Sequence, residues 1–303
     1  MASAARKRRQ PASRRWHGGA VTVRWQTGRV DLLTARSARV REARALTVAK
    51  HRRARGQFLA EGPQAVREAL RGGQALELFV EQGASERWPD ELRDARRQAL
   101  PVHLADHASI DALSSAQTPQ GIVAVCRWAP VAMADLLRHS GAGQVAFAHE
   151  MADPGNAGAL IRVADAAGAR GVVLSERSVD PTNPKCVRAT AGSLFHLPVV
   201  AGGTTLDAIA AMHDAGLRVL AADVTAGATD LFAAERGGLL DGSIAWLFGN
   251  EAHGLPDHVL AAVDHVVRIP ILGRAESLNL ATAAAVCLYA YARRQEHPRE
   301  DER

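Results

Sequence analysis

Ile269-Pro270-Ile271-Leu272-Gly273-Arg274-Ala275-Glu276-Ser277-Leu278-Asn279-Leu280-Ala281 carries an apolar strand end through a turn and directly into a helix. Val266-Val267-Arg268-Ile269 reads as a short buried strand. Pro270 ends its ladder because proline lacks the N–H that a ladder needs, and Gly273 allows the turn. Ser277 or Asn279 then caps an Ala-rich helix running to Arg294. A junction of this kind leaves the first backbone amides of the helix free for a ligand.

Two strand ends further upstream have the same form. Val145-Ala146-Phe147-Ala148 is an apolar strand, followed by Asn156-Ala157-Gly158 and then Arg162 at the opening of a helix. Leu247-Phe248-Gly249-Asn250-Glu251-Ala252-His253-Gly254-Leu255 closes another strand with a loop bracketed by glycines. Apolar runs at residues 171–174, 197–200, 217–222 and 244–248 alternate with helical segments, the pattern of a parallel sheet buried on both faces. Ligands in such sheets sit outside the carboxyl ends of the strands, so the three loops form one candidate site. A dinucleotide-binding fold fits poorly. No G-x-G-x-x-G follows the first strand, and Gly141-Ala142-Gly143 precedes it.

In order and wording these segments resemble the SpoU branch of the SPOUT RNA methyltransferases. That family reads N-x-G-x-x-x-R, then a G-x-E-x-x-G-like loop, then P-x-x-G-x-x-E-S-L-N before a helix. Here the positions are Asn156, Gly158 and Arg162; then Gly249, Asn250, Glu251 and Gly254; then Pro270, Gly273, Glu276, Ser277, Leu278 and Asn279. The match spans residues 145 to 293 with the motifs in order.

The resemblance implies an α/β fold whose C-terminal SPOUT domain, residues 144–303, has a parallel sheet and a deep trefoil knot. It implies methyl transfer from S-adenosyl-L-methionine to a ribose 2′-hydroxyl of RNA, with no metal. Arg162 is then the catalytic arginine. A guanidinium with a pKa above about 12 is a poor base, so Arg162 is read as the cation that lowers the hydroxyl pKa and grips a phosphate. Glu251 holds a partner, either backbone amides or Arg162, and Asn156, Ser277 and Asn279 orient substrate or cap helices. The adenosyl group is placed against main-chain atoms near Leu247, Gly249, Ile269 and Leu278. Relatives of this kind are homodimers.

Charge points to the same class of partner. Residues 1–56 hold sixteen Lys or Arg against Asp31 and Glu42, a charge of +14 in a chain whose net charge is +5, which leaves −9 for the rest. Arginine forks pair bidentately with phosphate oxygens and release counterions. Residues 1–33 have no hydrophobic period and read as a basic, disordered extension. In residues 36–55, Val40, Ala43, Leu46 and Ala49 recur at helical spacing between cations, so Arg52, Arg53 and Arg55 are expected to contact RNA. Arg188, in a helix after Pro184, is the fourth expected RNA contact.

Short elements follow: strands at 58–61, 76–80, 102–104 and 121–126, with helices at 64–71, 85–98 and 106–113. Phe58-Leu59-Ala60-Glu61-Gly62-Pro63 before a helix is similar to the start of the small ribosomal-protein-like α/β domain that binds substrate in many SpoU proteins. Residues 34–128 are assigned to that domain and 129–143 to a linker. Cys126, Cys186 and Cys287 are widely separated and lack C-x-x-C spacing, and His149-Glu150 is not followed by the second histidine of H-E-x-x-H. No apolar run reaches membrane-spanning length, no secretory signal is legible in residues 1–19, and a reduced, cytoplasmic protein is expected. Ribosomal RNA is favoured over transfer RNA as substrate. A non-catalytic RNA-binding assembly factor is the alternative from another class, with a nucleotide-dependent oxidoreductase behind it.

Overall fold

Two β-sheets are joined by one apolar core cluster, and each has a further cluster on its other face. The computed structural model describes residues 32–84, 86–138 and 142–296, so the expectation of disorder over residues 1–33 lies almost wholly outside them. The exceptions are Leu32 and Leu33, and Leu33 bridges to Ala105.

The chain opens with α1 (Ala38–Arg44), a 3₁₀ turn over Ala45–Thr47 and α2 (Ala49–Arg55). Val40, Ala43 and Leu46 face inward at the spacing that the sequence predicts. Then come β1 (Gln57–Glu61), α3 (Pro63–Arg71), β2 (Ala75–Glu81), α4 (Pro89–Arg97) and β3 (Val102–Ala105). α5 (His107–Leu113) and β4 (Ile122–Arg127) complete a four-stranded sheet ordered β1-β4-β2-β3. Proline begins both α3 and α4, where its missing N–H costs no helical bond. The Asp106 carboxylate caps α5 by accepting the Ser109 amide at 2.8 Å.

The segment expected to be a plain linker contains α6 (Met133–Leu137), and Leu136 is 1% exposed in the core of the second sheet. Amphipathic side chains, not the flanking Pro and Gly, decide its structure. Next come β5 (Gln144–Ala148), α7 (Pro154–Ala166), β6 (Gly171–Leu174), α8 (Pro184–Ala189) and β7 (Val199–Ala201). α9 (Thr205–Asp214), β8 (Arg218–Ala222), β9 (Thr229–Asp230) and α10 (Leu231–Gly237) follow. β10 (Ile244–Phe248), α11 (Asp257–Leu260), β11 (His265–Arg268) and α12 (Leu280–Glu296) close the described chain. The seven strands pair in parallel in the order β7-β6-β5-β10-β8-β11-β9. All their carboxyl ends therefore lie on one edge.

The two sheets are joined by packing as well as by chain. Phe58 on β1 stacks on Phe195 at 5.8 Å and meets Trp128 edge-on at 6.2 Å. Burying a ring of that size contributes roughly 2–3 kcal/mol. Three polar contacts flank this seam. Arg52 is buried against Asp180, Arg188 pairs with Glu61, and His196 bridges Asp165 (3.0 Å) and Glu68 (3.1 Å).

Asp165, and then Glu68, hold the His196 imidazolium pKa above its ordinary value. A raised folded pKa means that the charged contact is fully present below the unfolded value of about 6.5 and is lost as pH rises through the folded value. The thermal midpoint should accordingly fall more steeply as pH rises above about 6.5 in the native chain than in His196→Gln. Parallel profiles would remove His196 from the seam's stability.

Candidate active site

The three motif loops meet at the carboxyl edge of β5, β10 and β11. Glu251, in the loop after β10, accepts the backbone amides of Ala152 (3.3 Å) and Asp153 (3.4 Å) ahead of α7. It also accepts the Asn156 side-chain amide at 3.2 Å. The Asn156 carbonyl in turn accepts from the Asn279 amide at 3.1 Å, and the Asn279 carbonyl caps α12 by accepting the amides of Ala281 and Thr282. Glu251 and Asn279, 95 and 123 residues from Asn156 in sequence, thus form one hydrogen-bonded chain with it. Its ends are fixed by a helix cap and by backbone.

Local backbone chemistry sets this arrangement. Gly254 stands at φ +64° and exchanges two backbone hydrogen bonds with Asn250, closing the loop that carries Glu251. A Cβ on Gly249 would lie 2.6 Å from the Gly254 carbonyl carbon, so the loop folds back over a position that has room only for glycine. Gly158 answers a different demand: a Cβ there would meet the Cys186 oxygen at 2.5 Å, where α8 crosses α7. Gly273, by contrast, is not in the left-handed region and makes no close approach, so the turn after β11 does not require it.

A cavity of about 450 Å³ lies beside the hydrogen-bonded chain. Phe248, Val267, Ile269, Leu278 and Ala283 supply apolar wall, and Asn156, Glu251, Ser277 and Asn279 supply the polar end. Ser277 is exposed and its hydroxyl has no partner among the described residues. Gly249, Ile269 and Leu278, expected beside the adenosyl group, line the cavity. Leu247 does not. It is 0% exposed and belongs to the core cluster on the opposite face of the sheet, and alternation along β10 puts Phe248 in its place. Asp223, at the end of β8, also lines the cavity and was not singled out by any motif. Its position at a strand's carboxyl end was the available signal.

Arg162 is exposed on α7, and its guanidinium has no partner among the described residues. It does not line the cavity, and Glu251 does not contact it, so of the two partners expected for Glu251 only the backbone amides are met. Of the expected RNA contacts, Arg53 and Arg55 are exposed. Arg52 is not available to RNA: at 4% exposure it donates to Asp180, Thr182 and the carbonyls of Leu46 and Thr47. Arg188 is half-exposed, but its charge is met by Glu61 at 2.6 Å, so it joins the two sheets instead of facing the site unpaired. The thiols take no part. Burial pushes Cys186 up to about 12 and raises Cys126 and Cys287 as well. No group of three or more His, Cys, Asp or Glu among the described residues is placed to hold a metal ion, and no described helix is long and apolar enough to cross a membrane.

The pattern of the SpoU rRNA Methylase family matches residues 144–289, and an MRM3-like substrate binding domain matches residues 37–124. The 23S rRNA (guanosine(2553)-2′-O)-methyltransferase RlmP of Bacillus subtilis is 32% identical over 259 residues, covering 84% of this chain and 96% of that protein. The chain belongs to the SpoU family.

A 23S rRNA (uridine(2479)-2′-O)-methyltransferase of Streptomyces viridochromogenes is also 32% identical, over 87% of this chain and 92% of its own length. Among solved structures, the AdoMet-bound rRNA methyltransferase from Sinorhizobium meliloti superposes with a TM-score of 0.75 at 32% identity, covering 88% of this chain and 98% of that one. The SpoU membership explains why Asn156, Glu251 and Asn279, unremarkable singly, converge.

Proposed function

We propose that this SpoU protein transfers a methyl group from S-adenosylmethionine to a ribose 2′-hydroxyl of ribosomal RNA. The observation that carries the reading is the hydrogen-bonded chain Glu251–Asn156–Asn279 at the mouth of a half-apolar cavity. The names of the relatives, 23S rRNA 2′-O-methyltransferases, and an AdoMet-bound structural neighbour support it.

The cavity suits the cofactor, with apolar side chains for an adenine face, a polar end, and Gly249 in its lining with no side chain in the way. Gly249, Ile269 and Leu278 would hold it, with Phe248 taking the place first given to Leu247. When bound, the cofactor supplies an already activated methyl on a sulfonium, so the protein's work is positioning and charge stabilisation. Asn156 and Asn279 are fixed by their mutual bond and orient the ribose. Glu251 is committed to backbone amides and holds Asn156 instead of taking a proton. Arg162 keeps a free cationic fork for the developing oxyanion and the adjacent phosphate. A phosphate oxygen or water then accepts the proton.

Because Arg162 lies off the cavity lining of its own chain, the site is best completed across a homodimer. The substrate face is the basic surface of α1 and α2, where Arg41, Arg44, Lys50, Arg53 and Arg55 are exposed. Residues 34–128 bind RNA, 144–303 carry the knotted catalytic domain, and the site of action is the cytoplasm. The strand order, in which β10 returns between β5 and β8, is compatible with a threaded chain.

Labelled methyl transfer to separate pools of unmodified ribosomal and transfer RNA tests the reading. Incorporation into ribosomal RNA is expected. Incorporation into transfer RNA alone would reassign the substrate, and cofactor binding without transfer to either would favour an assembly role.

Gly249→Ala adds a second check. Its Cβ must displace backbone, not a side chain, so affinity for S-adenosylmethionine measured by calorimetry should fall by about tenfold or more. Native affinity in that variant would place the cofactor elsewhere.

A further inference from the structure

A second cavity, of about 290 Å³, opens at the carboxyl edge of the same sheet and shares no lining residue with the first. Leu174 and Ala201, at the ends of β6 and β7, form part of it. Only β5 separates β6 from β10, so the strand ends beneath the two cavities are about 10 Å apart. Arg52, Arg53, Gly56 and Trp128 reach it from the side of the four-stranded sheet, and residues 175–182 from the other. Seams of this kind are preferred ligand positions.

Two donors at this cavity have no partner among the described residues: the exposed Arg53 guanidinium and the indole N–H of Trp128. The Trp128 ring is half-buried and held by Phe58, the two rings standing at 85° with centroids 6.2 Å apart. A fixed aromatic face beside an uncommitted guanidinium matches the chemistry that holds single-stranded RNA, with the base on the ring and the phosphate on the cation. A small anion would have no use for the ring, and a duplex would keep its bases out of reach. Glu176 is also exposed at the rim, which puts the phosphate on the Arg53 side. The exposed cations Arg41, Arg44 and Lys50 on α1 and α2 extend this charge away from the cavity.

We propose that this cavity holds one unpaired nucleotide of the RNA, flanking the nucleotide that enters the motif site. It rests on the reading of the chain as an RNA methyltransferase, and it assigns Trp128, which no family motif marks, as a substrate-binding residue and gives the expected RNA contact Arg53 a specific place beside it.

The test uses the full chain with a short oligouridine carrying 5-iodouridine, alongside unmodified 23S rRNA transcript. Irradiation should cross-link the iodouridine to the peptide containing Trp128. Trp128→Ala and, separately, Arg53→Glu should weaken oligouridine binding by about tenfold or more. Glu176→Gln should strengthen it. Arg53 is exposed and unpaired, so its variant keeps the test decisive even where Trp128→Ala fails to fold. Affinity for S-adenosylmethionine should be the same in all variants. With the transcript, KM should rise in Arg53→Glu while kcat changes little. Native oligouridine affinity in Arg53→Glu, or cross-links confined to other peptides, overturns the proposal. A native chain that transfers no methyl to any RNA overturns the wider reading instead, and the cross-link and affinity results still decide this one.

Discussion

Arg162→Ala is expected to lower the rate of methyl transfer by about 10²- to 10³-fold, the scale seen when one preorganised charge-stabilising group is removed. Affinity for S-adenosylmethionine should stay at its native value, because Arg162 is not in the cavity lining. Three observations combine here. Arg162 is exposed, it has no ion-pair partner among the described residues, and it stands six residues beyond Asn156, about 9 Å along the α7 axis. A surface arginine kept free of carboxylates retains its full charge for a ligand. Arg162→Lys should recover part of the rate, since it keeps the charge but loses the planar fork. Single-turnover transfer of labelled methyl measures the loss. Unchanged transfer in Arg162→Ala, with RNA and cofactor still bound, would sink the assigned role. The same variant tests assembly. Mixed with Asn279→Ala, it should regain transfer if the arginine of one copy serves the cavity of another, and should regain none if each chain works alone.

The candidate site's edge was legible because its residues are polar side chains at strand ends, positions where a buried parallel sheet offers them no structural employment. Asn156, Glu251 and Asn279 do converge there. What failed was the reading of faces. Arg52 continues the three-residue spacing of Val40, Ala43, Leu46 and Ala49, so its inward direction was already present in the period. Its charge alone led to the opposite assignment, and only the presence of Asp180, 128 residues later, makes burial affordable. Leu247 failed for another reason. A strand apolar on both faces carries no mark of which face meets the ligand, and Trp246 and Phe248 pack in one core cluster while Ala245 and Leu247 pack in the other. Residues 129–143 read as linker because Pro130 and the glycines outweigh the short run that holds Leu136. Distant pairing, sheet face and single-turn helices are all set by contacts that no local window contains.

Arg52→Ala is the second large effect, and it falls on stability. The Arg52 guanidinium is 4% exposed and makes five hydrogen bonds, to Asp180 (3.1 and 2.7 Å), Thr182 (3.1 Å), and the carbonyls of Leu46 (3.2 Å) and Thr47 (3.0 Å). Removing it leaves Asp180, whose side chain is 15% exposed, without its cation, which costs about 3–5 kcal/mol for a pair of this burial. Burial opposes the Asp180 charge, while Thr182 and then Arg52 hold its pKa below the usual carboxylate value. A depressed folded pKa contributes stability above the unfolded value of about 3.9 and loses it as pH falls through the folded value. The native chain should therefore weaken in acid more steeply than Arg52→Ala, in which Asp180 titrates closer to its unfolded value. Replacing both partners, Arg52→Met with Asp180→Leu, should recover most of the loss, because an apolar pair of similar size leaves no buried charge unanswered. Denaturant unfolding of the native chain and the two variants separates the cases. A loss below about 1 kcal/mol in the single variant would mean that water reaches Asp180 and that the apolar contacts of Phe58 hold the two sheets together without this pair.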